Sequence, residues 1–335
     1  LALSALTGEK LLVVRIRSGR PNPGLRAQHL AGVRAMQGIC GAKVRGAQIG
    51  SPELMFEPGP VAGGDWRLDV GTAGSTSLVL QALLPALSFA ERESRLTIRG
   101  GTHVAWSPPF HHLSEAFLPQ VRRMGVKAEM ALNRWGWYPK GEGEIEAGVE
   151  PVSGTLKPLV LEGAFSPQEI EILSATSNLP SHVRERVGER LLARLSERGL
   201  KATLSLLDVP AANPGCLAYL RARDGEKLAA TSALGEKGKP AEAVADEAVE
   251  EFFHFLDGGG AVDEHLADQL VPYLALAEGE SRFTTSRLSR HLLTNIWVIE
   301  SFTEHIFGKI FEVEGELGEP GRVVVKGVGF RRFSD

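Results

Sequence analysis

Cysteine is almost missing from these 335 residues. Cys40 and Cys216 are the only two, and neither has Cys-x-x-Cys or Cys/His ligand spacing. A disulfide framework and a sequence-local zinc site are therefore not expected. Long apolar runs are missing too: nothing approaches the roughly 18 consecutive apolar residues of a membrane span. No secretory leader is recognisable, so a reducing cytoplasm is the expected compartment. The chain opens at Leu1 rather than Met, and LALSALTGEK reads as the last turns of a helix whose beginning, and any strand before it, are expected upstream. A Walker phosphate loop is also lacking, because no Gly-Lys-Ser/Thr follows the glycines of GTAGSTS (71–77). Acidic residues are absent between Lys10 and Pro52, a stretch with eight basic ones: Lys10, Arg15, Arg17, Arg20, Arg26, Arg34, Lys43 and Arg45. The net charge of −4 argues against bulk attraction to nucleic acid. A local basic field on an acidic chain is nonetheless the pattern of a phosphate-binding face.

What is present is an ordinary globular composition, 43% apolar and 23% charged, at a length suggesting about two domains. Leu11–Ile16 is predicted as a strand, on which Arg15 and Arg17, two apart, share a face with Arg20 just beyond. The competing reading is a strand with solvated arginines. The turn SGRPNPG (18–24) leads into a helix over Leu25–Cys40, periodic through Leu30, Val33 and Met36, with Gln28 and His29 near its start. Short strands are expected at 43–49, 53–57 and 66–70. GTAGSTS then opens a helix over Leu78–Phe89, and Gly71, Thr72, Gly74, Ser75 and Thr76 suggest an anion cradle with Gln81 on the first turns beyond. The pattern continues as strand (95–99), loop GGTHVAWSPP (100–109), helix (110–124), strand (127–132) and the Gly-rich turn RWGWYPKGEGE (134–144). Strand, polar turn, helix and strands recur about three times, which implies an α/β or α+β architecture built from repeated units. Residues 164–257 read as a smaller unit of their own, with helices over 181–199 and 240–256. Their charge runs, such as Arg184, Glu185 and Arg186, are read as solvated faces.

The chemistry is placed in SRFTTSRLSRHLLTNIWVIESF (281–302). Leu288, Leu292, Ile296 and Ile299 form one apolar helical stripe, with His291 and Asn295 together at its edge. Thr284, Thr285, Ser286 and Ser289 offer N-caps. His291 is thus expected in the first turns, partly sheltered and near the positive end of the helix dipole, which favours a neutral ring with a free lone pair. A neutral imidazole beside a phosphate suits nucleotidyl transfer; a lone histidine there also suits mere packing. On the preceding helix (261–277), His265, Asp268 and Gln269 lie within about one turn. They read as metal ligands, a group orienting the imidazole, or a surface pair, and without further context the surface pair stands.

Six stretches in order supply that context: RSGRPNPGLRAQHL (17–30), GTAGSTSLVLQALLPAL (71–87), GGTHVAWSPP (100–109), GWYPKGEGE (136–144), HLADQL (265–270) and SRHLLTNI (289–296). Over nearly its full length the chain resembles RNA 3′-terminal phosphate cyclases. The resemblance implies a core of three βαβαββ-type units, residues 1–163 and 258–335, with an inserted α/β domain over 164–257. It implies ATP as cofactor, Mg²⁺ or Mn²⁺ bridging phosphate oxygens, and RNA with a 3′-terminal phosphate as partner. His291 matches the nucleophile that takes AMP from ATP before passing it to the RNA phosphate, whose neighbouring 2′-OH then closes a 2′,3′-cyclic phosphate. Gln81 and the run His265, Leu266, Ala267, Asp268 and Gln269 match nucleotide-binding positions. Arg17, Arg20 and Gln28 match residues that handle phosphate, and Pro108 one that packs near the adenine. Each guanidinium on a transferring phosphoryl group is worth on the order of a hundredfold in rate.

Two departures stand out. The family begins with a strand and a Gly-rich loop bearing a glutamate and an arginine, which these residues do not include. His265 stands where an aromatic often faces the adenine. The competing readings are a cyclase-like RNA-binding protein of ribosome biogenesis that forms no adenylate, and an enolpyruvyl transferase with a related repeated fold.

Overall fold

The structure, a computed structural model, describes residues 1–71 and 73–332. Thr72, one of the cradle residues, lies outside the described residues. Two compact units divide the chain: Leu1–Ser107 with Gly125–Thr155 and the end from Arg331, and Pro108–Met124 with Leu156–Phe330.

The first unit begins with the short helix α1 (Ala2–Thr7), as LALSALT suggests, closed by left-handed Gly8. Strand β1 (Leu11–Val13) is followed by helix α2 (Ala27–Cys40), then β2 (Lys43–Arg45) and β3 (Leu54–Glu57). These strands form an antiparallel sheet in the order β1-β3-β2. Helix α2 buries Leu30, Val33 and Met36, the three positions its periodicity marks. Strand β4 (Asp65–Asp69), helix α3 (Thr76–Leu87) and strands β5 (Ser94–Gly100), β6 (Lys127–Arg134) and β7 (Gly143–Glu150) complete the unit. Their sheet has the order β4-β5-β7-β6, with β4 parallel to β5 and the other pairs antiparallel. Strands β5 and β7 alternate buried with less buried residues at a period of two, the mark of a sheet with one face on a core.

The second unit contains the helical stretch α4 (Phe110–His112), a π turn (Leu113–Phe117) and α5 (Leu118–Arg123), then β8 (Val160–Leu161). Next come β9 (Glu169–Ser177), α6 (Ser181–Glu197), β10 (Thr203–Asp208), β11 (Gly215–Asp224), β12 (Lys227–Leu234) and α7 (Ala241–Asp257). Helices α8 (Glu264–Leu276) and α9 (Arg290–Phe307) alternate with β13 (Glu278–Thr285), β14 (Phe311–Glu314) and β15 (Gly321–Val328). The sheet β8-β13-β15-β14 repeats the order and directions of β4-β5-β7-β6, and β1-β3-β2 repeats its last three strands. In each of the three sheets the last strand in sequence lies between two earlier ones. The architecture is mixed α and β, as the sequence implies.

Residues 169–257 supply a sheet of their own, β10-β9-β11-β12, covered by α6 and α7. Val187, Leu191 and Leu195, spaced by four on α6, are fully buried against it. A Cβ at Gly188 would sit 2.9 Å from Leu206 Cδ2 and 3.0 Å from Leu204 Cδ1, so those leucine ends would have to shift. The arginines of α6 remain partly exposed, and a stripe of them also pairs across to α7. Arg186 pairs with Glu242, Arg190 with Asp246, and Arg194 with both Asp246 and Glu250 on α7. Arg198 holds Asp257 and lies over the Phe253 ring, 4.0 Å from its centroid. The i, i+4 spacing puts four guanidinium groups on one helical stripe, and only packing against α7 reveals that an acidic stripe faces them.

The apolar face outweighs this ladder. Leu191→Ala should destabilise by about 3 kcal/mol through the cavity it leaves. Arg194→Ala should cost about 1 kcal/mol, because its partners are near water and Asp246 keeps Arg190. Urea unfolding at low and high salt checks both: only the arginine variant's cost should shrink with salt, and equal costs would contradict the ordering.

Candidate active site

Helix α9 starts where Ser289 accepts the Leu292 N–H at 3.1 Å, so His291 is its second residue. Leu292, Ile296 and Ile299 are buried and hold the helix down, leaving the His291 side chain 81% exposed on the outer edge. Helix α8 is anchored by Asp263, whose Oδ1 accepts the N–H groups of His265 and Leu266, both at 2.9 Å. Its buried residues Leu266, Leu270, Val271 and Leu274 leave His265, Asp268 and Gln269 on another edge. The two helices pack together and bring Asp268 to His291, with Oδ2 2.7 Å from Nδ1. Asn295, one turn along from His291, donates its Nδ2–H to the other oxygen, Oδ1. Asp268 is only 15% exposed, so it is the fixed partner and the imidazole the presented one.

This geometry assigns the ring's nitrogens. A carboxylate only accepts, so Nδ1 carries the hydrogen, and Nε2 of the neutral ring carries the lone pair. The hydrogen bond to Asp268 raises the His291 pKa above its ordinary value of 6.5. That corrects the expectation of a sheltered ring kept neutral by the helix dipole. A helix N-terminus disfavours a cation by about 0.3–1 kcal/mol, whereas a charge-assisted hydrogen bond is worth about 1.5–3 kcal/mol. The carboxylate wins. An outward Nε2 lone pair, backed by a carboxylate on the far nitrogen, equips the imidazole to attack an electrophile and to bear the positive charge that results.

A family model of RNA 3′-terminal phosphate cyclase matches residues 1–308. The chain belongs to this family. Among curated relatives named RNA 3′-terminal phosphate cyclase, that of Thermococcus onnurineus is 44% identical over 338 residues, covering 97% of this chain and 94% of the relative. That of Pyrococcus furiosus is 41% identical over 325 residues, covering 97% and 93%. That of Methylococcus capsulatus is 43% identical over 309 residues, covering 90% and 86%. The family is one of enzymes. No helix among the described residues is long and apolar enough to cross a membrane.

Other residues expected at a cyclase site fall into two groups, one per unit. In the second unit, Leu266 and Ala267 are fully buried, and their N–H groups already bond Asp263. Gln269 accepts at 3.1 Å from Nε2 of His112, a buried ring that burial keeps below its ordinary pKa. His265 meets Glu251 at 3.1 Å, and that contact pushes its pKa up to about 9. Pro108 is half-buried at the head of α4. Sequence reasoning missed His112 and Glu251; His112 lies 157 residues from Gln269, and no local pattern links the two.

In the first unit the basic segment departs from expectation. Strand β1 stops at Val13, and residues 15–20 form a turn in which Arg15 and Arg17 both take φ 53°, so there is no strand face of arginines. Arg17 Nη1 donates to the Asn22 carbonyl at 2.6 Å, bracing the loop with part of its guanidinium. Arg20 is exposed, and Gln81 is half-buried on the second turn of α3. Several N–H groups of the glycine loop and the start of α3 already have partners. Gly71 N–H bonds Asp69, Thr76 N–H bonds Gly101 O, Leu78 N–H bonds Ser75 Oγ, and Ser75 N–H bonds Gln28 Oε1 at 3.2 Å. Among the described residues no three His, Cys, Asp or Glu side chains converge on a metal position.

The bond to Asp268 predicts a titration. His291 should titrate above 6.5, and Asp268→Asn should bring it down toward that value, as followed by NMR of the ring. The sign for stability follows. The attraction is fully present below about pH 6.5 and is lost as pH rises through the folded-state value. A titration unmoved by Asp268→Asn would refute the assignment.

Proposed function

We propose that this chain uses ATP to convert RNA 3′-phosphates to 2′,3′-cyclic phosphates through a covalent His291–AMP intermediate. The observation that carries this reading is the exposed imidazole whose Nδ1 is tied to Asp268. Nε2 attacks the α-phosphorus of ATP; an N–P bond forms as the bond to pyrophosphate breaks. The alkylated-like ring is then cationic, and the Asp268 carboxylate balances that charge without taking the Nδ1 proton. An oxygen of the RNA 3′-phosphate next attacks the same phosphorus, the N–P bond breaks, and the imidazole is released. The RNA end now carries AMP as a leaving group. The adjacent 2′-OH gives up its proton and attacks the 3′-phosphorus, AMP departs, and the cyclic phosphate closes, helped by proximity.

Arg17, Arg20 and Gln28 act on phosphates in this reading, and Gln81, Pro108, His265, Asp268 and Gln269 on the nucleotide. Where the family often has an aromatic at the adenine, His265 offers a smaller ring. The shared strand order of three sheets supports a repeated core, with residues 164–257 as the inserted domain. The buried thiols of Cys40 and Cys216 suit a reducing cytoplasm.

Incubation with α-³²P-labelled ATP should give an acid-labile, alkali-stable labelled protein. His291→Ala should abolish the label, and retention of it would end the nucleophile assignment. Asp268→Ala should slow labelling on the order of a hundredfold or more, because the ring loses both its tautomer and its counter-charge. Arg20→Ala should weaken labelling far more than it lowers the melting temperature, since the side chain is exposed and holds up no core.

A further inference from the structure

The loops 102–107 and 134–142 of the first unit hold a group of aromatic rings that the proposed chemistry does not use. Trp106 is 100% exposed, and its backbone has φ 63°. That left-handed region is disfavoured for a bulky side chain, and such positions cluster where a protein needs a side chain presented in one place. Tyr138, on the other loop, is 77% exposed. Single exposed apolar residues are normal and need no explanation. These two are not isolated, because the loops are locked together. Gly136 O accepts from the N–H groups of Thr102 at 2.9 Å and His103 at 3.1 Å, and Gly136 N–H donates to Thr102 Oγ1 at 2.9 Å. The approach is so close that a Cβ on Gly136 would lie 2.5 Å from Gly143 N and 2.6 Å from Gly100 O.

The same loops hold a stacked group of rings. The His103 ring is stacked on Trp135 with centroids 4.1 Å apart and lies 5.1 Å from Trp137; the two indoles are 5.5 Å apart. His103 and Trp137 are also bridge partners. Trp106 is three residues beyond the first and Tyr138 adjoins the second, so their Cα atoms are no more than about 20 Å apart. Both rings are therefore carried by one stiff support. Arg134 and Lys140 flank them and are exposed; Arg134 lies opposite Glu144 across the β6–β7 pairing and feels its charge, while Lys140 forms no salt bridge among the described residues. Glu142 is the acidic residue on the same turn, while Glu144 is held by Arg99 at 2.7 Å and Asn133 at 3.4 Å.

We infer that these two loops are a stacking platform for the single-stranded RNA that precedes the 3′-phosphate, with bases on Trp106 and Tyr138 and phosphates on Arg134 and Lys140. Exposed aromatic faces interleaved with cations are what sequence-tolerant binding of a single strand requires, because every base offers a π-face and every linkage a negative charge. A duplex end, with its bases already stacked, gains less from such a surface. The inference deepens the RNA-end reading above and rests on it.

The test uses the full chain and a 5′-fluorescent 12-nucleotide RNA bearing a 3′-phosphate, with binding read by anisotropy at several salt concentrations. Trp106→Gly and Tyr138→Ala should each weaken binding about tenfold or more. Trp106→Gly should leave the melting temperature equal or higher, since glycine accepts the positive φ, and Trp106→Phe should restore part of the affinity. Lys140→Ala should reduce the salt slope by about one phosphate contact. Labelling of His291 by ATP should be unchanged in all four variants. Affinity within twofold of wild type in both ring variants, equal binding of a blunt duplex, or no RNA binding by the wild type would overturn the platform. So would loss of ATP labelling in Trp106→Gly, which would put that ring on the nucleotide. Failure of the wild type to take label while the ring variants still lose RNA would instead strike the catalytic reading and leave the platform standing.

Discussion

The hydrogen bond between Asp268 and His291 is the contact on which the chemistry turns. An imidazole on a helix surface has no inherent task; it can rotate, exchange tautomers and titrate near neutrality. One carboxylate at 2.7 Å removes those freedoms, giving Nδ1 the hydrogen and leaving Nε2 outward. In the proposed reaction the same carboxylate is the compensating charge for a ring made cationic by attack. Its own position is secured by Asn295 on the partner helix and by burial. The cost is that the ring stays protonated to higher pH than a free histidine would, since the neighbouring anion steadies the imidazolium.

Helix α8 has to be held still for that contact to persist, and its surroundings do so from several directions. Asp263 caps its first turn, and a face of aliphatic residues is sunk in the core. His112 reaches Gln269 from the end of α4, while Glu251 in the middle of α7 reaches His265. The two rings flanking Asp268 are thus in opposite protonation regimes. Burial drives His112 toward the neutral form, and a neighbouring carboxylate drives His265 toward the charged one. Helix α8 therefore carries a fixed pattern of charge along the edge that presents Asp268.

The first unit shows a different economy of polar groups. Its glycine loop resembles an anion cradle in composition, and four N–H groups of the loop and helix start are bonded to Asp69, Gln28, Gly101 and Ser75. Its arginines are not a striped strand. The run Arg15 to Arg20 is compressed into a turn by two left-handed residues, and Arg17 braces that turn through the Asn22 carbonyl. Strand propensity in Leu11–Ile16 is real but gives way after Val13, because Ile16 bonds Pro52 and Gly24 through its N–H and carbonyl. A contact 36 positions away decided where the strand ended.

Periodicity and turn chemistry were enough to place most helices and strands, because those signals are local: Leu30, Val33 and Met36 mark the buried side of α2 wherever α2 goes. The family was legible for a related reason, since six short stretches survive in order along the chain. His291 with Asn295 could be paired from their spacing alone, and Ser289 recognised as a cap. Three roles were open for Asp268 on paper, and packing of α8 on α9 across 23 residues of chain chose among them. The partners of Gln269, the acidic stripe facing the α6 arginines and the protonation bias of His291 were equally out of reach. Backbone preference acts over a few residues and is written in the order of side chains. Electrostatic and hydrogen-bonded neighbours act over a few ångströms, and only the folded chain determines which residues those are.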